Sequence, residues 1–169
     1  MNIFIYEMFG TALLTWVAIN ANNEWCVALT LFIIACSIGP ITGCHINPAV
    51  TMGVLVLNYK DFTQNLTWCL LSILAQFSGG LIAVKISFEP PSDANHTTKT
   101  VQGAFFLEFV CTFLFVGSIC LVKSTPPSKI PLMQNFLVGM SLLSVIYIGA
   151  ANGICAFNPV IALAMKIAC

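Results

Sequence analysis

Two Asn-Pro pairs, Asn47-Pro48 and Asn158-Pro159, restrict what this chain can fold into more than any other feature. Each lies in a polar, turn-rich stretch between apolar runs: Gly39-Pro40-Ile41-Thr42-Gly43-Cys44-His45-Ile46-Asn47-Pro48-Ala49-Val50-Thr51, and Gly149-Ala150-Ala151-Asn152-Gly153-Ile154-Cys155-Ala156-Phe157-Asn158-Pro159-Val160. Asn directly before Pro is a helix start. The Asn side-chain oxygen caps the first turn, and Pro at the first helical position gives up an N–H that had no partner anyway. The helices so begun are short: Ala49 to Leu57 and Val160 to Ile167 each offer only about half of the ~20 residues a bilayer-spanning helix needs. The pattern predicts two half-helices that enter a membrane and stop.

The rest of the chain supplies the membrane. Apolar residues make up 59% and charged residues 7%, with mean hydropathy +0.95, too little charge to cover a soluble domain of this size. The chain reads as an integral, multi-pass membrane protein. Six Lys balance six acids and Arg is absent, which leaves no footprint for nucleic acid. Eight Cys are scattered through apolar segments without a C-x-x-C pair or a His/Cys cluster, so they read as small buried hydrophobes rather than a disulfide frame or a metal site.

Five spans follow in order. Asn2 to Ala21 is the first and carries Glu7 four residues before Thr11; the missing basic region and the break in the apolar run at Glu7 weigh against a signal peptide. Trp25 to Ile38 is the second, expected to end at the Gly39-Pro40 turn. The first half-helix and a hydrophilic connection, Asn58 to Asp61, lead to a third span from about Leu66 to Ser87, with the small residues of Ala75-Gln76-Phe77-Ser78-Gly79-Gly80 suited to close helix contact. After the polar loop 89–100, the fourth span runs from about Val101 to Val122, with Glu108 four residues before Thr112. A surface loop, Lys123 to Lys129, and the fifth span, Ile130 to Ile148, lead into the second Asn-Pro stretch.

The two halves repeat each other. Glu108 and Thr112 follow Glu7 and Thr11 by 101 residues, and Gly149 and Asn158 follow Gly39 and Asn47 by 110 and 111. One membrane domain, 1–169, is therefore expected to hold a first repeat (1–88), the loop 89–100 and a second repeat (101–169). Three spans per repeat would set the two in opposite orientations, the plan of transport proteins whose broken helices meet near the midplane. Non-helical backbone at that depth is tolerated only inside protein or around a water-filled cavity, so the two turns predict a pore.

On these residues the chain resembles the major intrinsic protein family, the aquaporins and aquaglyceroporins. The stretch Gly43-Cys44-His45-Ile46-Asn47-Pro48-Ala49-Val50-Thr51 is similar to the first family signature, and Glu7, Ala75-Gln76, Glu108 and Gly139 stand where the family places them. The resemblance implies an all-α inverted repeat with re-entrant half-helices, one pore per subunit, a homotetramer, passive passage of water or small neutral solutes, and no cofactor. It assigns Asn47, Pro48, Ala49, Asn158, Pro159 and Val160 to the midplane of the pore. Glu7, Gln76, Glu108 and His45 become supports of the motif loops, not chemical groups.

Departures from the family are as informative. The family's outer constriction usually has Arg three residues after the second Asn; here that position is Ile161, and ungapped counting gives Val27, Ile146 and Cys155 as the other three lining positions. Such a set cannot replace the hydrogen bonds of a hydrated solute. Two outcomes are open: a barrier that dewets and conducts poorly, or a pore that admits glycerol, urea, ammonia or peroxide. Val160 replaces the usual Ala and would narrow the midplane. Ile154 replaces a Gly, a role that Gly153 could take by a one-residue shift. Cys155 reads equally well as a pore-facing thiol and as a buried one.

The span from Asn47 to Ser87 is 40 residues, whereas 11 follow Asn158, so a sixth span is missing from this sequence. An incomplete chain is the preferred expectation, with a five-span variant, closed by neighbouring subunits or not conducting, as the other. Termini in the cytoplasm, as in the family, would place Lys60, Lys123 and Lys129 inside and Lys85, Lys99 and the glycosylation pattern Asn95-His96-Thr97 outside. Two readings from other classes stand beside the channel: a non-conducting structural or regulatory membrane protein of the same fold, and an ion-coupled secondary transporter. The few acids and two His do not assemble a catalytic set, so an enzyme is not expected.

Overall fold

A computed structural model of the chain describes residues 2–21, 23–87, 101–153 and 156–168. All regular structure among them is helical: α1 (Asn2–Asn20), α2 (Glu24–Thr42), α3 (Pro48–Leu57), α4 (Phe62–Ile86), α5 (Val101–Ser124), α6 (Pro131–Ala150) and α7 (Pro159–Ala168), with single turns of 3-10 helix at Tyr59–Asp61 and Pro126–Lys129. Five of these helices, α1, α2, α4, α5 and α6, are long and apolar enough to cross a membrane. At 1.5 Å per residue they extend about 28–38 Å, against about 15 Å for α3 and α7. The polar loop 89–100, with Asn95, and the positions Ile154 and Cys155 lie outside the described residues.

Local chemistry sets the helix ends. Asn23 caps α2 by accepting from Trp25 N at 2.9 Å, and Glu24 sits in the first turn, where the helix dipole favours an acid. The end of α2 corrects the expectation of a stop at Gly39-Pro40. The helix runs through Pro40 to Thr42 and closes at Gly43, whose φ of +84° and N–H to Gly39 O at 2.9 Å make a left-handed cap. Pro40 is tolerated because it falls in the last turn, where losing one N–H forfeits one bond without breaking a long ladder. Likewise α5 carries Lys123 and Ser124, which the sequence had placed in a loop; Ser124 Oγ and Thr125 Oγ1 donate back to Leu121 and Cys120 carbonyls and satisfy the final turn.

Packing in an apolar solvent depends on close approach, since lipid tails are as apolar as Leu. Helix α1 lies along α4, α2 pairs with α6, and α5 with α6, while α3 is held against α4 and α5 and α7 against α4 and α1. The α1/α4 contact is the tightest. A Cβ placed on Gly79 would overlap Met8 O and come within 2.9 Å of Ala12 N, backbone atoms that cannot turn aside. Gly79→Ala is therefore expected to force the helices apart at a cost of about 1–3 kcal/mol. The thermal midpoint in detergent should fall by about 3–10 °C. Ser78→Ala, which removes only a hydroxyl bonded to Leu74 O on its own helix, should leave it almost unchanged.

Large apolar side chains on the outside of the bundle, among them Phe105, Phe109, Phe113 and Leu121 on α5 and Leu70, Leu74 and Leu81 on α4, form the surface that meets lipid. The chain is an integral, multi-pass membrane protein.

Candidate functional site

The N-terminal ends of α3 and α7 meet in the interior of the bundle. Asn47 Oδ1 accepts from Ala49 N at 2.9 Å and Asn158 Oδ1 from Val160 N at 3.0 Å, so each Asn caps its own helix with Pro48 or Pro159 at the first position. The amide nitrogens then reach across. Asn47 Nδ2 donates to Phe157 O at 3.0 Å and Asn158 Nδ2 donates to Ile46 O at 3.0 Å. Each acceptor is the carbonyl just before the opposite Asn, so the two ends hold each other reciprocally. One N–H of each amide is used in this strap, which leaves the second.

The strap needs an unusual backbone. Ile46 and Phe157 adopt φ of +39° and +46°, a region that bulky and β-branched residues seldom enter, and both are fully buried. Such conformations cost of order 1–3 kcal/mol each and persist only when surroundings over-determine them. Two carboxylates do so. Glu7, with no exposed surface, accepts from His45 N at 3.1 Å and Thr42 Oγ1 at 2.7 Å on Oε1, and from Ile46 N at 2.8 Å and Gln76 Nε2 at 2.9 Å on Oε2. Glu108 accepts from Ala156 N at 3.1 Å and Phe157 N at 3.0 Å. These bonds pull the two residues before each Asn into place.

The first half is braced more heavily. Gln76 Nε2 also donates to Thr51 Oγ1 at 2.9 Å, and Thr51 Oγ1 donates to Asn47 O at 3.1 Å, which ties Glu7 on α1, Gln76 on α4 and Thr51 on α3 into one network. The His45 ring packs edge-on against Trp68, with centroids 4.7 Å apart at 85°. Thr42, Thr51 and Trp68 were not singled out from the sequence. Only Thr51 carried a signal there, its four-residue spacing from Asn47.

Of the four positions expected to line an outer constriction, Val27, Ile146 and Ile161 are buried in one apolar cluster with Leu31, Leu142 and Phe157; Cys155 lies outside the described residues. Ala49 is only partly buried. The Val160 side chain lies over Gly80 of α4 so closely that a Cβ at Gly80 would overlap Val160 Cγ1. Gly153 has φ of +73°, the left-handed conformation that Gly adopts without strain. Among the described residues no three His, Cys, Asp or Glu side chains are placed to hold a metal ion.

Comparison with known proteins adds to this geometry. Residues 2–169 match the family model of the major intrinsic proteins. The chain is 29% identical over 142 residues to aquaporin NIP6-1 of Arabidopsis thaliana, covering 83% of this chain and 46% of that protein. It is 27% identical over 152 residues to aquaporin NIP3-1 of Oryza sativa subsp. japonica, covering 87% and 48%. Probable aquaporin PIP2-7 of the same rice is 25% identical over 133 residues, covering 72% and 45%. The chain spans about half the length of the curated relatives it matches. With the family model matched along almost its whole length, and with two capped helix ends joined by their Asn side chains inside five apolar helices, the chain belongs to the major intrinsic protein family.

Proposed function

We propose that this chain forms the core of a passive channel for water and small neutral solutes, in which α3 and α7 are re-entrant half-helices of an inverted repeat (1–88 and 101–169, joined by 89–100). The reciprocal Asn47/Asn158 strap is the observation that carries this reading. Two helix N-termini pointed at one place put partial positive charge there, which opposes hydronium and other cations without opposing a neutral solute. The amide N–H that each Asn retains is a fixed donor for a passing oxygen, oriented by the cap and the strap together. The names of the relatives, all aquaporins, support the same class. Passage needs no cofactor, and assembly as a homotetramer is part of the proposal.

Specificity on this reading resides in Val27, Ile146, Cys155 and Ile161, an outer constriction without Arg. A pore so lined would discriminate less, and small neutral solutes such as glycerol, urea, ammonia or peroxide would then compete with water itself. A second reading is favoured by one observation. Val27, Ile146 and Ile161 are buried in a single apolar cluster, which suits a non-conducting structural or regulatory member of the family, with this cluster as a plug.

Stopped-flow swelling of proteoliposomes under sucrose, glycerol and urea gradients separates the two. Equilibration faster than in empty vesicles, returning to the empty-vesicle rate when Asn47 and Asn158 are both replaced, supports the channel. Rates equal to empty vesicles with the protein correctly inserted would leave the plug reading.

A further inference from the structure

Four buried side-chain atoms have no hydrogen-bond partner among the described residues: Thr15 Oγ1, His45 Nδ1, Ser72 Oγ and Gln76 Oε1. Three of them belong to neighbouring residues: Ser72 and Gln76 lie on α4, and His45 packs on Trp68 of the same helix. Trp68, Ser72 and Gln76 stand four residues apart and so share one stripe of α4. Both ends of that stripe are fastened to the segment that leads into α3. Trp68 meets the His45 ring at 4.7 Å, and Gln76 Nε2 donates to Thr51 at 2.9 Å and to the Glu7 carboxylate, which in turn accepts from His45 N. Ser72 lies between, with no exposed surface.

The Ser72 hydroxyl is out of keeping with the other serines in these helices. Ser37, Ser78, Ser141 and Ser144 each donate to the carbonyl four residues back: 2.8 Å to Ile33, 2.9 Å to Leu74, 2.8 Å to Leu137 and 2.9 Å to Met140. Ser72 could satisfy itself in the same way and does not. An unpaired buried hydroxyl, ring nitrogen or amide oxygen each costs about 1–3 kcal/mol, and three orphans on neighbouring residues are most simply relieved by a shared partner.

We propose that these three residues form a binding site for one ordered water molecule, held by His45 Nδ1, Ser72 Oγ and Gln76 Oε1. The donor and acceptor inventory closes. Gln76 Oε1 is an acceptor, and the amide is held in this orientation because its nitrogen donates to Glu7 and Thr51. The water donates one hydrogen to Gln76 Oε1 and one to His45 Nδ1, and accepts from the Ser72 hydroxyl, three bonds in keeping with a typical buried water. Four residues along α4 rise about 6 Å, close to the span of two hydrogen bonds of about 2.8 Å through a bridging oxygen. The water links α4 to the 43–46 segment through the His45 ring. It is a structural water behind that segment, and its presence does not depend on whether the chain conducts.

The sign of a stability change tests the site. In a dry pocket, Ser72→Ala removes an orphan hydroxyl and should raise the thermal midpoint; with the water bound, it removes one of the three partners and should lower the midpoint by about 2–4 °C. A structure of the unaltered protein at a resolution that shows ordered water decides the matter independently of how the variant folds. A peak about 2.6–3.2 Å from at least two of the three atoms is the expected result. A site without that peak, a Ser72 hydroxyl turned onto Trp68 O, or a more stable Ser72→Ala protein would overturn the proposal.

Discussion

Glu7→Gln should lower the thermal midpoint of the detergent-solubilised protein by about 10 °C or more, and Glu108→Gln by roughly half as much. Both changes keep the side-chain size. They differ in what faces the altered group. Glu7 accepts four hydrogen bonds, two on each oxygen, all inside the bundle. An amide offers one acceptor oxygen and turns an NH2 toward donors it cannot serve, so about two buried donors lose their partner at about 1–3 kcal/mol each. Glu108 accepts two backbone N–H bonds and is only partly buried, so one donor is lost in a less demanding place. Equal shifts for the two variants in differential scanning fluorimetry would contradict the unequal bracing of the two halves.

Replacement of both Asn47 and Asn158 by Ala should destabilise the protein by about 2–4 kcal/mol and, on the proposed channel function, bring solute equilibration in proteoliposomes down to the empty-vesicle rate. Two caps of about 1 kcal/mol each are lost, and Phe157 O and Ile46 O lose their donors. Asp at the same positions separates these effects. Its carboxylate oxygen still caps Ala49 N or Val160 N, but it has no N–H to give to the opposite loop and sets an anion beside a carbonyl. Asn158→Asp should therefore keep the α7 helix while uncoupling the two loops. A double-mutant cycle with Asn47→Asp would read that coupling directly as non-additivity. Full additivity would mean that the reciprocal bonds do not act as a unit.

How much of this could be read in the sequence follows from the range of each interaction. The caps were legible because Asn-Pro is a local rule, satisfied within three residues, and the five spans because hydropathy is a sum over one segment. The supporting role expected for Glu7 and Glu108 came with the family resemblance alone; their four-residue spacing from Thr11 and Thr112 marked only the repeat. The strap was not legible. It joins residues 110 and 112 apart and uses carbonyls, which every residue possesses. Nor did Ile46 and Phe157 announce their positive φ, since their own preferences oppose it and tertiary hydrogen bonds override them. The end of α2 was misplaced for a related reason. Gly-Pro signals a stop, but Gly43 offered a better cap a few residues on.

The contact of Val160 with Gly80 bears on how such a chain can change over generations. The valine fills the space a side chain at position 80 would need, and the glycine makes room for a valine at a position where the family usually has alanine. With alanine at 160 the methyl that overlaps position 80 is gone, and a residue with a Cβ becomes acceptable there. Each position is thus permissive only on the background of the other. A lineage moving between the two states passes safely through the Gly80/Ala160 pair, which leaves a gap, and not through a filled position 80 beside Val160, which collides. The order of substitutions is set by sterics before selection on transport has any say.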